Sequence, residues 1–418
     1  MTDWKLQANL PPITLDEWNA EFERYKTFPE WQQRKSMTLD EFKFIYFWEY
    51  GHRMLGRGLG FAFAIPGAYF AARGMIPKRM YSRIALLFGL GGAQGLIGWW
   101  MVKSGLEMDP EQRKEIRVSP YRLTTHLTMA FTTYGLLLWT GLDILHGPKY
   151  MRETAMKLST ETLKYAKKVR GMAAVSAALA ATTIVSGAFV AGNDAGRAYN
   201  TFPLMGDVLV PLEDMFTLSP SWRNFFENTA TVQFDHRVLA LSTLTSVLGT
   251  YALAMRSELM KTLPASSRRA LHHAAGMVVV QVGLGISTLL MCVPISLAAM
   301  HQAGSLVLLT FLTQLVHTLS FVKHTPTTST TGTTTGGSKG GARTAAATAV
   351  GSVLLALSST TTTAALSTGT KALGSRAMTT TRAHCRTHLT PTQYKGLQEL
   401  QRKNLSLLTT SMKNSIPK

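Results

Sequence analysis

Long apolar runs, separated by short polar or charged connections, dominate the chain up to about residue 322. Each run is close to the length of about 20 residues that an α-helix needs to cross a bilayer. Seven such runs occur, at Met54–Ala72, Ile84–Val102, Thr124–Leu145, Met172–Val190, Val238–Ala254, Ala274–Val293 and Ile295–Val316. Because only helices and closed barrels satisfy their backbone polar groups in lipid, the pattern predicts an all-α polytopic membrane protein.

Polar segments flank the apolar runs at both ends of the chain. Residues 1–48 contain amphipathic stretches such as LDEWNAEFERYKTF, which we expect outside the membrane. From residue 323 the composition becomes rich in Thr, Gly and Ala, as in TPTTSTTGTTTGG. Such a low-complexity sequence cannot bury a hydrophobic core, so the C-terminal tail, 323–418, is predicted to be disordered.

Positive charge is concentrated in alternate connections between the apolar runs. The formal net charge is +19, but segments 1–53, 103–122 and 193–237 are acidic or balanced, and the excess of Lys and Arg lies in the other connections and the tail. By the positive-inside rule, the basic connections and the tail face the cytoplasm or an organellar matrix, and the N-terminus faces the opposite side. This distribution accounts for the charge without a nucleic-acid partner.

The chain contains an internal repeat. EYGHRMLGRG at 49–58 aligns with QFDHRVLALS at 233–242, and Gln94 and Gly98 in the second run match Gln281 and Gly285 in the sixth. We therefore predict two tandem four-helix bundles, with residues 1–145 as the first repeat, 146–171 as a basic inner connection and 172–322 as the second repeat. The second repeat has an apolar run before its His-bearing helix and the first has none. We thus expect seven of eight helices here, with the eighth upstream of Met1 in a longer chain.

Four histidines occupy equivalent positions at the outer ends of apolar runs: His52 and His126 in the first repeat, His236 and His301 in the second. Ionisable residues within membrane spans are functional-site candidates by default. Bis-histidine ligation of a haem in each helical bundle suits two such pairs, whereas zinc or copper would be expected to recruit Cys or acidic ligands as well. Capping or hydrogen bonding at helix ends is the alternative role for any single histidine. The remaining histidines, expected to be mostly solvated or interfacial, are His146, His272, His273, His317, His324, His384 and His388.

Charged residues beside these histidines distinguish the two repeats. Arg53, Arg57, Arg122 and Arg237 lie near the candidate ligands and could pair with haem propionates, or else extend to the membrane interface. Glu49 precedes His52 by three residues, but the equivalent residue in the second repeat is Gln233. A carboxylate can accept a proton or stabilise positive charge and a glutamine cannot, so the first repeat is predicted to be the reactive one. A helix-start role for Glu49 is the alternative.

These residues resemble the haem A synthase family, the mitochondrial and alphaproteobacterial branch of the cytochrome oxidase assembly proteins. The resemblance extends from Met1 to about residue 320, through MTDWKLQANLPPIT, EFKFIYFWEYGHRMLGR, PYRLTTHLTMA, GAFVAGNDAGRAYNTFPLMGD, FDHR and MHQ. It implies an eight-helix enzyme of two four-helix halves that oxidises the C8 methyl group of haem O to a formyl group, giving haem A for cytochrome c oxidase, with oxygen derived from water.

The resemblance also assigns roles to the candidate residues. It implies that His52 and His126 hold the substrate haem, that His236 and His301 bind a haem b that relays electrons, and that Glu49 is catalytic. It further implies a multi-pass protein of the mitochondrial inner membrane, with the basic connections and the tail on the matrix side. Expected partners are the farnesyl transferase that makes haem O and electron-transfer proteins, and a homo-oligomer is left open. Two other functions are left open: a dihaem b-type electron carrier and a non-catalytic assembly fragment.

Overall fold

A computed structural model of the protein describes residues 10–106 and 117–324. Within these ranges the regular secondary structure is helical, apart from one isolated β-bridge between Met205 and Val208. The α-helices are α1 (Leu15–Lys26), α2 (Leu39–Ala72), α3 (Tyr81–Leu106), α4 (Pro120–Leu145), α5 (Pro148–Met156), α6 (Thr160–Gly192), α7 (Asn224–Glu227), α8 (Thr229–Met255), α9 (Ala265–Leu290) and α10 (Ile295–Thr318). The all-α prediction is therefore confirmed, and the predicted disordered tail lies outside the described residues.

Five of the seven predicted membrane spans are confirmed by helices that are long and apolar enough to cross a bilayer. They are Lys78–Leu106, Thr160–Gly192, Thr229–Met255, Ala265–Leu290 and Ile295–His324. The other two predicted spans, Met54–Ala72 and Thr124–Leu145, lie within helices of 34 and 26 residues. The first is diluted by glycines and Arg57 and the second by threonines, which lowers the mean hydropathy of both. Membrane crossing by α2 and α4 thus stays a prediction.

The second repeat forms a bundle of α6, α8, α9 and α10. Its centre is an apolar cluster of small and branched residues: Ala180, Val247, Ala274, Val278, Leu308 and Leu312. Hydroxyl pairs join α6 to α8, since Ser176 Oγ lies 2.8 Å from Ser246 Oγ and Thr183 Oγ1 lies 2.9 Å from Thr243 Oγ1. Small residues and hydroxyl pairs of this kind bring membrane helices into close contact.

In the first repeat, the described residues form three long helices, of which α3 and α4 pack together. Helix α4 also contacts the second repeat. A Cβ at Gly192 of α6 would lie 2.8 Å from Pro120 Cα, and Tyr134 Oη lies 2.8 Å from Thr310 Oγ1 of α10. Helix α2 contacts α3 through Phe63 and Phe88, whose ring centroids are 4.9 Å apart. Many apolar side chains of α2 are exposed, including Leu55, Leu59, Phe61, Ile65 and Tyr69.

The predicted amphipathic stretch before the first span forms α1, which packs on the start of α2. Thr14 and Thr38 begin α1 and α2 with capping boxes, each closed by a glutamate three residues later. Phe22, Tyr25 and Phe42 form the centre of an aromatic cluster between the two helices. Because this cluster packs against the first turns of α2, it positions the helix that carries Glu49 and His52.

Segment 146–171, predicted as a basic connection, is largely helical. It forms α5 and the first turns of α6, and buries Met151, Ala155 and Leu163 against one end of the second bundle. The expectation that His317 is solvated or interfacial is wrong, because its side chain is only 1% exposed. Its ring is covered by Trp139 at a centroid distance of 4.9 Å and its Nε2 lies 2.9 Å from Asp143 Oδ1.

Candidate functional site

The second repeat brings the rings of His236 of α8 and His301 of α10 close together. Their ring centroids are 6.5 Å apart and the ring planes are nearly perpendicular, at 87°. An imidazole nitrogen binds a first-row metal at about 2 Å, so two rings on opposite sides of one metal ion have centroids about 6 Å apart. The pair is therefore spaced as two axial ligands of a single metal would be.

A cavity of about 590 Å³ lies between α4, α6, α8, α9 and α10 and includes both histidines. Its walls are mostly aliphatic and small, with Gly187, Gly285 and Ala240 leaving room beside the rings. Binding sites for cofactors are typically about 300–1,000 Å³ and mainly apolar. In residues 10–106 and 117–324, no group of three or more His, Cys, Asp or Glu could hold a bare metal ion. Two imidazoles in an apolar slot therefore fit a metal whose remaining ligands come from a macrocycle.

Polar neighbours orient both rings of the second repeat. Ser186 Oγ donates to the Thr183 carbonyl and lies 2.8 Å from His236 Nδ1, so the Nδ1–H can donate to Ser186. The amide nitrogen of Gln281 lies 3.1 Å from His301 Nδ1 and donates to the His301 carbonyl at 2.9 Å. On His236, an Nδ1–H that donates to Ser186 leaves Nε2 for a ligand, as in metal sites whose histidines are held by hydrogen bonds. On His301, Gln281 fixes the position of the ring through its backbone carbonyl and its Nδ1 edge.

The first repeat reproduces this arrangement around His126. The Gln94 amide nitrogen lies 3.2 Å from His126 Nδ1 and donates to the His126 carbonyl at 3.1 Å. A Cβ at Gly98 would come within 2.9 Å of His126 Cε1, as one at Gly285 would come within 2.8 Å of His301 Cε1. The same glutamine and glycine therefore support the equivalent histidine in each repeat.

His52 on α2 lies close enough to His126 for the two rings to interact electrostatically. Unlike its counterpart His236, His52 is exposed. His236 lies against Gly187 and Ser186 of α6, whereas no helix in the described residues occupies that place beside His52. The two predicted first-repeat ligands are thus neighbours on α2 and α4.

Glu49 and Gln233 occupy the equivalent position that was predicted to make only the first repeat reactive. Their surroundings differ. Glu49 is half-buried and forms an ion pair with Arg53 at 2.9 Å. It lies before the predicted span, where burial raises the pKa of its carboxyl group and the Arg53 guanidinium opposes that shift. Gln233 is buried, and its amide nitrogen donates to the Ala195 carbonyl at 2.7 Å.

The predicted propionate arginines have other partners in the structure. Arg122 donates to the Trp100 carbonyl at 2.8 Å and lies over the Trp100 ring, and Arg57 contacts Met54 Sδ at 3.8 Å. Arg237 donates to the carbonyls of residues in the 199–204 segment. Propionate pairing by these arginines stays a prediction.

Arg197 lines the second-repeat cavity and is exposed at its edge, a position that was not predicted. Its signal was the GNDAGRAYNTFP segment, a polar stretch with one arginine placed directly between α6 and the His236 helix. Arg237 also lines this cavity but donates to backbone carbonyls, so Arg197 is the cation to test first for a carboxylate of a bound ligand.

The fold and the paired histidines define an all-α, multi-pass membrane protein with a ligand cavity inside a helical bundle. The chain belongs to the cytochrome oxidase assembly protein family, COX15-CtaA, whose model matches residues 1–313. It is 48% identical over 320 residues to heme A synthase COX15 of Arabidopsis thaliana, covering 76% of this chain and 68% of that protein. It is 46% identical to heme A synthase COX15 of Homo sapiens, covering 74% of this chain and 73% of that protein. It is 44% identical to heme A synthase of the bacterium Rhodospirillum centenum, covering 76% and 80%.

Proposed function

We propose that this protein is a haem A synthase, an oxidoreductase that converts the C8 methyl group of haem O to a formyl group. The observation that carries the proposal is the duplicated histidine pair in which the position three residues before the first histidine is a glutamate, Glu49, in one copy and a glutamine, Gln233, in the other. Family membership and the names of the relatives support the reaction, and the cavity in the second repeat supports haem as the ligand.

His236 and His301 would hold haem b as its axial ligands. The spacing of the two rings, their hydrogen bonds to Ser186 and Gln281 and the size of the cavity all fit a bis-histidine haem. When bound, haem b supplies one-electron transfer. The protein orients the rings from α8 and α10 and excludes water with the aliphatic walls of the cavity.

His52 and His126 would hold the substrate, haem O, in the first repeat. The glutamine and glycine beside His126 match those beside His301, which suits a second bis-histidine haem site. Oxidation of the methyl group releases protons, and Glu49 is the titratable group one turn before His52. Burial raises the pKa of its carboxyl group, which makes the carboxylate a stronger proton acceptor, while Arg53 keeps the side chain in place.

We place the protein in the mitochondrial inner membrane, with its basic connections on the matrix side. A farnesyl transferase that makes haem O would supply the substrate, and separate redox proteins would accept the electrons. Histidines on α2, α4, α8 and α10 would then lie near the outer face, opposite the basic segments.

The test is production of haem A in membranes of a host that makes haem O but no haem A. Expression of the chain should yield haem A, detected by extraction and chromatography. Glu49→Gln should reduce haem A at least about a hundredfold, as loss of a general base typically does, and should leave haem b bound at His236 and His301. The control is Glu23→Gln, which removes an exposed carboxylate on α1 and should leave haem A production unchanged.

Each other outcome has a distinct meaning. Haem b without haem A in the unmodified chain would favour a dihaem electron carrier over an enzyme. Loss of both haems in Glu49→Gln would make Glu49 a structural residue and contradict its catalytic role.

A further inference from the structure

The segment between α6 and α8 forms part of the wall of the second-repeat cavity. Asp194, Gly196, Arg197 and Phe202 all line it, although they belong to an irregular connection and not to the bundle. A ligand in this cavity is therefore enclosed on one side by a segment whose regular structure beside the cavity is one 3-10 turn, Ala195–Arg197, and its retention depends on what holds that segment in place.

Two residues of α8 hold it. The Arg237 guanidinium donates through one terminal nitrogen to the Tyr199 and Thr201 carbonyls, both at 2.9 Å, and through the other to the Leu204 carbonyl at 2.9 Å. Gln233, only 3% exposed, donates to the Ala195 carbonyl at 2.7 Å. Charged donors on several carbonyls make strong, geometrically specific contacts.

Gln233 and Arg237 also contact each other, since Arg237 donates to Gln233 Oε1 at 3.1 Å. They lie four residues apart on one face of α8, and His236 belongs to the same turn. The turn that carries the proposed haem ligand thus also fastens the segment that covers the cavity.

The equivalent pair in the first repeat is Glu49 and Arg53, which face each other at 2.9 Å. An amide can donate to a carbonyl and accept from a guanidinium at the same time, but an ionised carboxylate has no donor. A carboxylate also attracts the guanidinium more strongly than an amide oxygen does, and so competes with backbone carbonyls for it.

We infer that Gln233 and Arg237 form a latch that holds segment 195–204 across the second-repeat cavity and slows release of the haem bound there. Gln233 is accordingly a positioning residue, and an ionised carboxylate in its place would lack the donor to the Ala195 carbonyl. The inference rests on the proposed haem b site.

The test is the rate at which haem b leaves the purified full-length protein, followed by absorbance after adding an excess of a haem-scavenging apo-globin. Gln233→Glu should increase the release rate about tenfold or more, because it removes a buried donor and redirects Arg237. The absorbance spectrum before release should remain that of bis-histidine haem. Gln233→Met, which removes the donor without adding charge, should also increase the release rate. Gln32→Glu, which adds the same charge at an exposed position on the N-terminal segment, is the matched control.

Unchanged release from both Gln233 variants would overturn the latch while leaving the haem b site intact. If Gln233→Glu takes up no haem b, the release rate of Gln233→Met tests the inference instead. A rate for Gln233→Met equal to that of the unmodified protein would overturn it. Absence of haem b from the unmodified protein would instead contradict the proposed function, so the two failures are distinguishable.

Discussion

Glycines opposite the candidate ligand histidines set how closely each imidazole can approach the neighbouring helix. Gly98, Gly187 and Gly285 each lie where a Cβ would be within about 3 Å of a histidine Cε1. The sequence repeat identified Gly98 and Gly285 as equivalent. That each makes room for a histidine ring is seen only in the structure. Gly187 was not predicted, since its counterpart is absent from the described residues of the first repeat.

We expect Gly285→Ala to displace His301 and to weaken haem b binding. The added Cβ would lie 2.8 Å from His301 Cε1, which is closer than two carbon atoms can approach without movement. Haem b content of the purified protein should fall at least about tenfold, as when a supporting residue of a metal ligand is lost.

The control for this prediction lies on the same helix. A Cβ at Gly283 meets nothing within 4 Å, so Gly283→Ala should leave haem b content unchanged. Equal haem content in the two variants would contradict the steric argument.

At the scale of helices, Asp143 of α4 joins three helices, α3, α4 and α10. It accepts from Arg83 of α3 and lies 2.9 Å from Nε2 of the buried His317 on α10. Since α4 belongs to the first repeat and α10 to the second, Asp143 connects the two bundles on the face opposite the candidate ligands. The position of His317 near the end of a span predicted contact with solvent or the membrane interface, but its burial depends on packing by Trp139 and on its contact with Asp143.

Asp143→Ala should destabilise the protein without emptying the haem b site. Removing the carboxylate leaves the buried His317 Nε2 without its partner, at a cost of about 1–3 kcal/mol in the free energy of unfolding. Thermal unfolding in detergent should show a lower midpoint, and the haem b spectrum before unfolding should be unchanged.

An exposed ion pair provides the comparison for Asp143→Ala. Glu258 and Lys261 pair on the surface, where such contacts contribute little to stability, so Glu258→Ala should shift the midpoint much less. A midpoint for Asp143→Ala as high as that of Glu258→Ala would show that Asp143 does not hold the bundles together.

At the scale of the whole molecule, the distribution of charge predicts the orientation in the membrane. An epitope inserted after Lys164 should face the matrix, and one inserted after Asp207 should face the intermembrane space. In mitochondria with a ruptured outer membrane, protease should remove the epitope at 207 and spare the one at 164. The reverse pattern would contradict the proposed placement of the candidate ligands near the outer face.

The amino-acid sequence by itself determined the helical class, most of the spans, the repeat and the equivalence of the four histidines. These properties follow from hydrophobic length and from residues repeated in order, both of which are local along the chain. Only the tertiary structure decided how the histidines are supported, that Arg237 binds backbone carbonyls, that Arg197 borders the cavity and that His317 is buried. Those properties depend on contacts between distant segments, such as Gln233 with Ala195 and Asp143 with His317, whose geometry is set by helix packing.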